Sequence, residues 1–162
     1  MNLYLLRHGE AEPASGTGDT LRALTEAGRQ EVINVARQFA SRNLSIDSCY
    51  VSPALRAQQT ASIFLEQTFN APQITTIEEL SANKRASQLM AFLDKSSSEN
   101  ILLVSHNPIL SELLALMTHG NVDRMHILDT GNLACIQFDI MGLGMGSCPF
   151  ILEPDAVLGH IS

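Results

Sequence analysis

At 162 residues the chain is about the size of one domain, and it is expected to form a single unit over residues 1–162; its 45% apolar and 17% charged composition excludes a disordered or fibrous chain. Ten Lys and Arg against 17 Asp and Glu leave a net charge of −7, the wrong sign for gripping a nucleic acid across a broad face, so any anion must be held by a local group of cations. No apolar run approaches the ~20 residues of a membrane helix, and the apolar start has no basic flank and is shorter than the ~7 to 15 residues of a signal-peptide core. A soluble, cytoplasmic protein without membrane partners is therefore expected. Cys49, Cys135 and Cys148 are odd in number and lack C-x-x-C spacing, and they read as small buried hydrophobes.

The first element is the strand "NLYLL", which ends abruptly at Arg7, His8, Gly9 and Glu10. Residues 11 to 23 are rich in Gly, Ser, Thr and Pro and read as a loop, after which Thr25 caps a helix running to about Arg42. Val32, Val35, Ala36 and Phe39 recur at helical spacing and form its buried stripe. "SCYVS" is a second strand, and the pair Ser52-Pro53 opens a helix through Leu65. "ITTI" is a third strand, and "ASQLMAFL" a helix with Leu89, Phe92 and Leu93 on one face. "ILLVS" is apolar without alternation, as a central strand buried on both faces must be. Asn107 and Pro108 begin another helix, with Leu110, Leu113, Leu114 and Met117 facing inward. "LACIQFDI" and "CPFIL" are two terminal strands; no helix pattern follows "GLGMG", so that run reads as their hairpin connection, not a phosphate loop. Alternating strands and helices predict an α/β fold, three layers α/β/α around a mostly parallel sheet.

Three polar clusters follow three of these strands: Arg7-His8, Ser52-Pro53 with Arg56, and Ser105-His106. In a parallel sheet the carboxyl ends of the strands share one edge, where ligands bind, so the clusters can meet. Ser52 and Asn107 are good N-caps and Pro53 and Pro108 suit the first helical position, so two helix N-termini would face the same edge and favour an anion. Arg56 falls in a first helical turn, where a cation opposes the helix dipole and a bound anion would offset the cost. Alone, each of these residues has an ordinary structural reading. Two arginines and two histidines at one edge of an acidic protein do not. His119, His126 and His160 lack such company and read as surface or structural residues.

Leu6-Arg7-His8-Gly9-Glu10, "LTEAGRQE" at 24 to 31, "SPALRAQQT" at 52 to 60 and "VSHNP" at 104 to 108 resemble, in order, the signature of the histidine phosphatase superfamily, with its phosphoglycerate mutase-like fold. The short chain, without the long insertions of the mutases, is similar to the SixA-type phosphohistidine phosphatases. The resemblance implies that His8 is the nucleophile, with Arg7, Arg56 and His106 forming its phosphate pocket. A neutral imidazole is a good nucleophile near neutrality, and Gly9 beside it lets backbone come close to a substrate. Arginine forks grip phosphate bidentately and neutralise the charge that spreads over its oxygens, so neither a metal nor another cofactor is needed.

The general acid is the open point. The family's acid region corresponds here to "IEELSANKRAS", where Ser81, Ala82 and Asn83 replace the Pro and Asp common in related short phosphatases. Glu79, nearest in sequence to that region, and Asp19, in the loop after the first strand, are the two candidates. An alkoxide leaving group needs such an acid, whereas a phosphorylated imidazole leaves through a nitrogen that is readily protonated, so the departure favours an N–P over an O–P bond. The expected partner is accordingly a phosphorylated protein such as a histidine-containing phosphotransfer domain. The rival readings are a small-molecule phosphomonoesterase or mutase, a phosphoprotein-binding module without turnover, and a metal site on His8 and His106, which lacks a suitably spaced third ligand. Oligomeric state leaves no mark in the sequence.

Overall fold

The computed structural model describes residues 1–16 and 18–155. One six-stranded sheet runs through it in the order β3-β2-β4-β1-β5-β6, with β1 Asn2–Arg7, β2 Ser48–Val51, β3 Ile74–Thr76, β4 Asn100–Ser105, β5 Leu133–Phe138 and β6 Gly146–Leu152. The first four of these in space are parallel, and β5 and β6 complete the sheet as an antiparallel hairpin on β1. Register carries the sequence argument into space: Arg7 pairs with Ser105, and Val51 with Val104, so the three strands end side by side. The amide of His8 donates to Ser105 O at 2.9 Å and that of Ser52 to Val104 O at 3.0 Å.

Alternation along β1 sends Tyr4 and Leu6 to one face and Leu3 and Leu5 to the other, all buried. The first face is covered by helices α1 Glu26–Ser41 and α2 Leu55–Glu66, where Phe39 stacks edge-on against Tyr4 and Phe64 with ring centroids 4.9 and 5.3 Å away. The second is covered by α3 Ala86–Leu93 and α4 Ile109–His119 through Leu89, Leu93, Leu110, Leu113 and Met117. This is the three-layer α/β/α arrangement. Among the described residues no helix is long and apolar enough to cross a membrane.

Thr25 caps α1 as expected, its side chain accepting from Gly28 N at 2.9 Å. The other two expected caps are corrected. Helix α2 starts at Leu55, because Ser52 Oγ instead accepts from Ala54 N at 3.3 Å and Ala54 is still extended. Asn107 does not cap α4: its amide donates to Leu128 O and accepts from Ser111 Oγ, both at 2.7 Å, which leaves Pro108 at the cap position. Cys49 and Cys135 are buried, but Cys148 lies exposed on the edge strand β6, against the expectation that all three are core residues. The "GLGMG" run does connect β5 to β6. His119 and His126 are exposed, and His160 lies outside the described residues.

The segment after β1 packs directly on the first turn of α1. A Cβ on Gly28 would lie 2.1 Å from Glu10 O, and one on Gly9 would lie 2.4 Å from Gly28 O. Gly28→Ala should therefore destabilise the protein by about 1–3 kcal/mol through overpacking, although helix propensity alone favours alanine. A urea melt would read this as a lower midpoint with unchanged slope; an equal or higher midpoint would contradict the contact.

Candidate active site

His8 follows β1 and is buried, with 7% of its surface exposed. Its Nδ1 lies 2.7 Å from Gly9 O, which can only accept, so Nδ1 carries the proton and Nε2 presents its lone pair. Arg56, in the first turn of α2, donates Nε–H to that lone pair at 3.2 Å. Burial, which is the largest influence, together with the nearby Arg56, Arg7 and His106, outweighs the Gly9 hydrogen bond and pushes His8 down from 6.5 to about 4. The ring is thus a neutral imidazole across the physiological range.

That depression has a consequence for stability. Between pH 6.5 and about 4 the unfolded chain binds more protons at His8 than the folded one does, so the contribution is present above 6.5 and lost as pH falls toward 4. Urea midpoints should drop over this window, and drop less steeply in His8→Ala. Parallel profiles for the two proteins would contradict the assignment.

Arg56 is 4% exposed and is held from outside by Asp19, whose carbonyl accepts from Nη1 at 2.8 Å and whose carboxylate accepts from Nη2 at 3.0 Å. Asp19 opens a short 3-10 turn, Asp19–Leu21, and also binds Arg22 Nε at 2.9 Å. Partial desolvation acts to raise the Asp19 carboxyl, yet the guanidinium groups of Arg56 and Arg22 hold it below its ordinary value. The helix-dipole cost of Arg56 is therefore already offset by a resident carboxylate, which corrects the expectation that this residue needs a bound anion.

Arg7 ends β1 with Nη1 donating to Leu128 O at 2.7 Å, while its Nε is buried without a partner. Burial lowers its pKa, against the opposing carboxylates of Asp129 and Glu31. His106 follows β4 and is 7% exposed; its Nδ1 lies 3.2 Å from Ser105 Oγ, and its Nε2 is buried and unpartnered. Burial first, then Arg56 and Arg7, lower the His106 pKa in spite of Asp19. Arg7, His8, Arg56 and His106 line one cavity of about 430 Å³.

Asp19 lines the same cavity, with Arg22, Glu10, Ala82, Asn107 and Thr130. Glu79 is not in its lining. Gly9 is not either; a Cβ there would meet Gly28 O, so the missing side chain lets the segment after β1 pack on α1. Sequence reasoning missed the supports. Gly9 N donates to the buried hydroxyl of Thr60, which in turn donates to Arg56 O. Gly131, at φ 73°, donates its N–H to the carbonyls of Arg7 and His8, each at 3.1 Å, and Leu128 O gathers Arg7 and Asn107. The C-terminal third therefore braces the site besides completing the sheet. "DTGN" was a turn signal in the sequence, but backbone carbonyls leave no residue-type mark.

A neutral imidazole set among guanidinium groups at the carboxyl edge of an α/β sheet defines a phosphatase of the hydrolase class whose nucleophile is a histidine. Comparison with known proteins carries the identification further. The sequence profile of the histidine phosphatase superfamily (branch 1) matches residues 3–81. "Phosphohistidine phosphatase SixA" of Escherichia coli (strain K12) is 28% identical over 151 residues, 89% of each chain. A 2,3-bisphosphoglycerate-dependent phosphoglycerate mutase of Methylobacterium sp. (strain 4-46) is 34% identical over 86 residues, 51% of this chain and 41% of that enzyme. A structure of the protein histidine phosphatase SixA complexed with tungstate superposes with a TM-score of 0.85 at 24% identity, covering 95% of this chain and 97% of that one. Over residues 3–81 the chain is similar to the histidine phosphatase superfamily, and it has the phosphoglycerate mutase-like fold.

Proposed function

We propose that the protein is a phosphohistidine phosphatase that removes phosphoryl groups from a phosphorylated histidine of a partner protein, such as a histidine-containing phosphotransfer domain, through a covalent phosphohistidine on His8. The observation that carries the reading is the setting of His8: Nδ1–H is tied to Gly9 O, Nε2 presents its lone pair to Arg56, and the residue lines a cavity with Arg7, Arg56 and His106.

On substrate entry Arg56 Nε–H turns from His8 Nε2 to a phosphoryl oxygen and frees the lone pair. Nε2 attacks phosphorus in line, the P–N bond to the substrate imidazole breaks, and its electron pair stays with that ring, which takes a proton. Water then breaks the P–Nε2 bond and inorganic phosphate leaves. The charge spread over the phosphoryl oxygens is met by the two guanidinium groups, so turnover should persist in EDTA.

Both candidate acids fit poorly with an oxygen leaving group. Asp19 is held ionised by two arginines and Glu79 does not line the cavity, while Ala82 offers only a methyl group there. Asp19→Asn should accordingly keep turnover of a phosphohistidine protein within about tenfold of wild type, the loss coming from weaker support of Arg56. A loss of more than about a thousandfold would restore Asp19 as an acid.

A small-molecule phosphomonoesterase or mutase is the second reading, favoured by the 34% identity to the mutase over 86 residues. Offering a phosphohistidine protein, a phosphoserine peptide and phosphoglycerate in parallel decides between them. Rapid release of phosphate from the first alone is expected. Preference for phosphoglycerate would favour the second reading, and stoichiometric binding without release would reduce the protein to a phosphoprotein-binding module.

A further inference from the structure

Among the described residues, two buried polar atoms of residues that line the cavity have no hydrogen-bond partner, Arg7 Nε and His106 Nε2. An oxyanion would satisfy the first directly, since an arginine N–H donates. The second is different. Ser105 is fully buried, and its hydroxyl, which has a single hydrogen, lies 2.9 Å from Leu80 O, an atom that can only accept. The Ser105 hydrogen is therefore committed to Leu80, and the 3.2 Å contact to His106 must be made by a proton on His106 Nδ1. A neutral His106 consequently has a bare, buried lone pair at Nε2, in a residue that lines the cavity proposed to take the phosphoryl group. Two lone pairs cannot hydrogen-bond, and in a buried site their apposition is costly.

We infer that an oxyanion entering the cavity brings a proton onto His106 Nε2, and that Ser105 is the positioning residue responsible, because it reserves the ring's own proton for Nδ1. The inference rests on the cavity being the phosphoryl site proposed above. The bookkeeping is simple: the Nε2 lone pair takes one proton, from solvent when the anion has none, or from the P–OH of a monoprotonated phosphoryl group, and the new N–H donates to an anionic oxygen. His8 is the competing acceptor, since its Nε2, which accepts from Arg56 in the empty site, is freed when Arg56 turns to the oxyanion; proton uptake that survives His106→Gln would assign the proton to it. The charged groups around His106 are Arg7 at the end of β1, Arg56 on α2 and Asp19 on the 3-10 turn, with His8 beside them; Glu10 and Arg22 line the same cavity. The arginines and burial keep the empty ring neutral, and a bound dianion reverses that field. The site would thus select a tetrahedral oxyanion together with one proton.

Sulfate is a suitable probe because it carries no proton near neutrality. Its binding to the full chain would be measured by calorimetry in buffers of different ionisation enthalpy, with ring nitrogens followed by ¹⁵N NMR. In the free protein His106 should be protonated at Nδ1 and bare at Nε2; saturating sulfate should protonate both. About one proton should be taken up per sulfate, with affinity weakening about tenfold per pH unit while the free ring is neutral. His106→Gln, whose amide can donate without titrating, should bind sulfate with no proton uptake and no such pH dependence. Ser105→Ala should release the tautomer, giving Nε2–H in the free protein and less uptake than wild type.

A free wild-type ring protonated at Nε2, sulfate bound without proton uptake, uptake that survives His106→Gln, or no sulfate binding at all would each overturn the inference. None of these measurements involves turnover. Failure to hydrolyse a phosphohistidine protein while sulfate still brings its proton would sink the proposed substrate and leave the proton-coupled site standing.

Discussion

Replacing His8 by alanine is expected to lower kcat toward a phosphohistidine protein by about 10⁴-fold or more, the scale seen when a covalent nucleophile is removed. The fold should survive. Among the described residues two hydrogen bonds join the His8 ring to its surroundings, one to its neighbour Gly9 and one from Arg56, whereas its backbone bonds to Ser105 O and from Gly131 N are kept. Circular dichroism should be unchanged, and sulfate should still bind, since Arg7, Arg56 and His106 remain. Turnover within tenfold of wild type would remove His8 from the chemistry.

Arg56→Ala is expected to cost about 10³-fold in kcat/KM, within the range known for arginines that neutralise a transferring phosphoryl group. Arg56 does two things at once. Its Nε–H donates to the His8 lone pair, and its Nη groups are pinned by the Asp19 carboxylate and carbonyl so that the fork keeps its plane. Lysine should not rescue it, because a point charge cannot serve three partners in fixed directions. Removing the ion pair itself should cost stability little, since Asp19 is 58% exposed and water can take over its carboxylate. Loss of activity with the urea midpoint nearly retained is therefore the expected pattern. A variant whose kcat/KM falls less than tenfold would show that Arg7 and His106 suffice to hold the phosphoryl group.

The layered architecture was legible in the sequence because strand and helix periods are hydrophobic patterns: the unalternating "ILLV" run becomes the central β4, and the Val32, Val35, Ala36, Phe39 stripe becomes the buried face of α1. The meeting of Arg7, His8, Arg56 and His106 followed from topology, since parallel strands end at one edge and the register sets Arg7 against Ser105. Local detail was less legible. A Ser-Pro or Asn-Pro pair looks like a helix start, but Ser52 is spent on Ala54 N–H in a tight turn, and Asn107 on Ser111, four residues on, and on Leu128, a tertiary neighbour 21 residues further on. Gly9 is a point of close backbone approach to Gly28, a tertiary neighbour that the residue type does not name. Asp19 belongs to the cavity and Glu79 does not, because sequence proximity to a family's acid region says nothing about where a 3-10 turn points its side chains.

Trapping the enzyme during turnover tests the central claim most directly. Wild-type protein would be mixed with a ³²P-labelled phosphohistidine protein, quenched within the first turnover, and the labelled peptide mapped. An acid-labile, alkali-stable phosphoryl group on His8, formed and consumed at rates compatible with kcat and missing from His8→Ala, is the predicted result. Full turnover without any phosphoenzyme, or label on a residue other than His8, would contradict it.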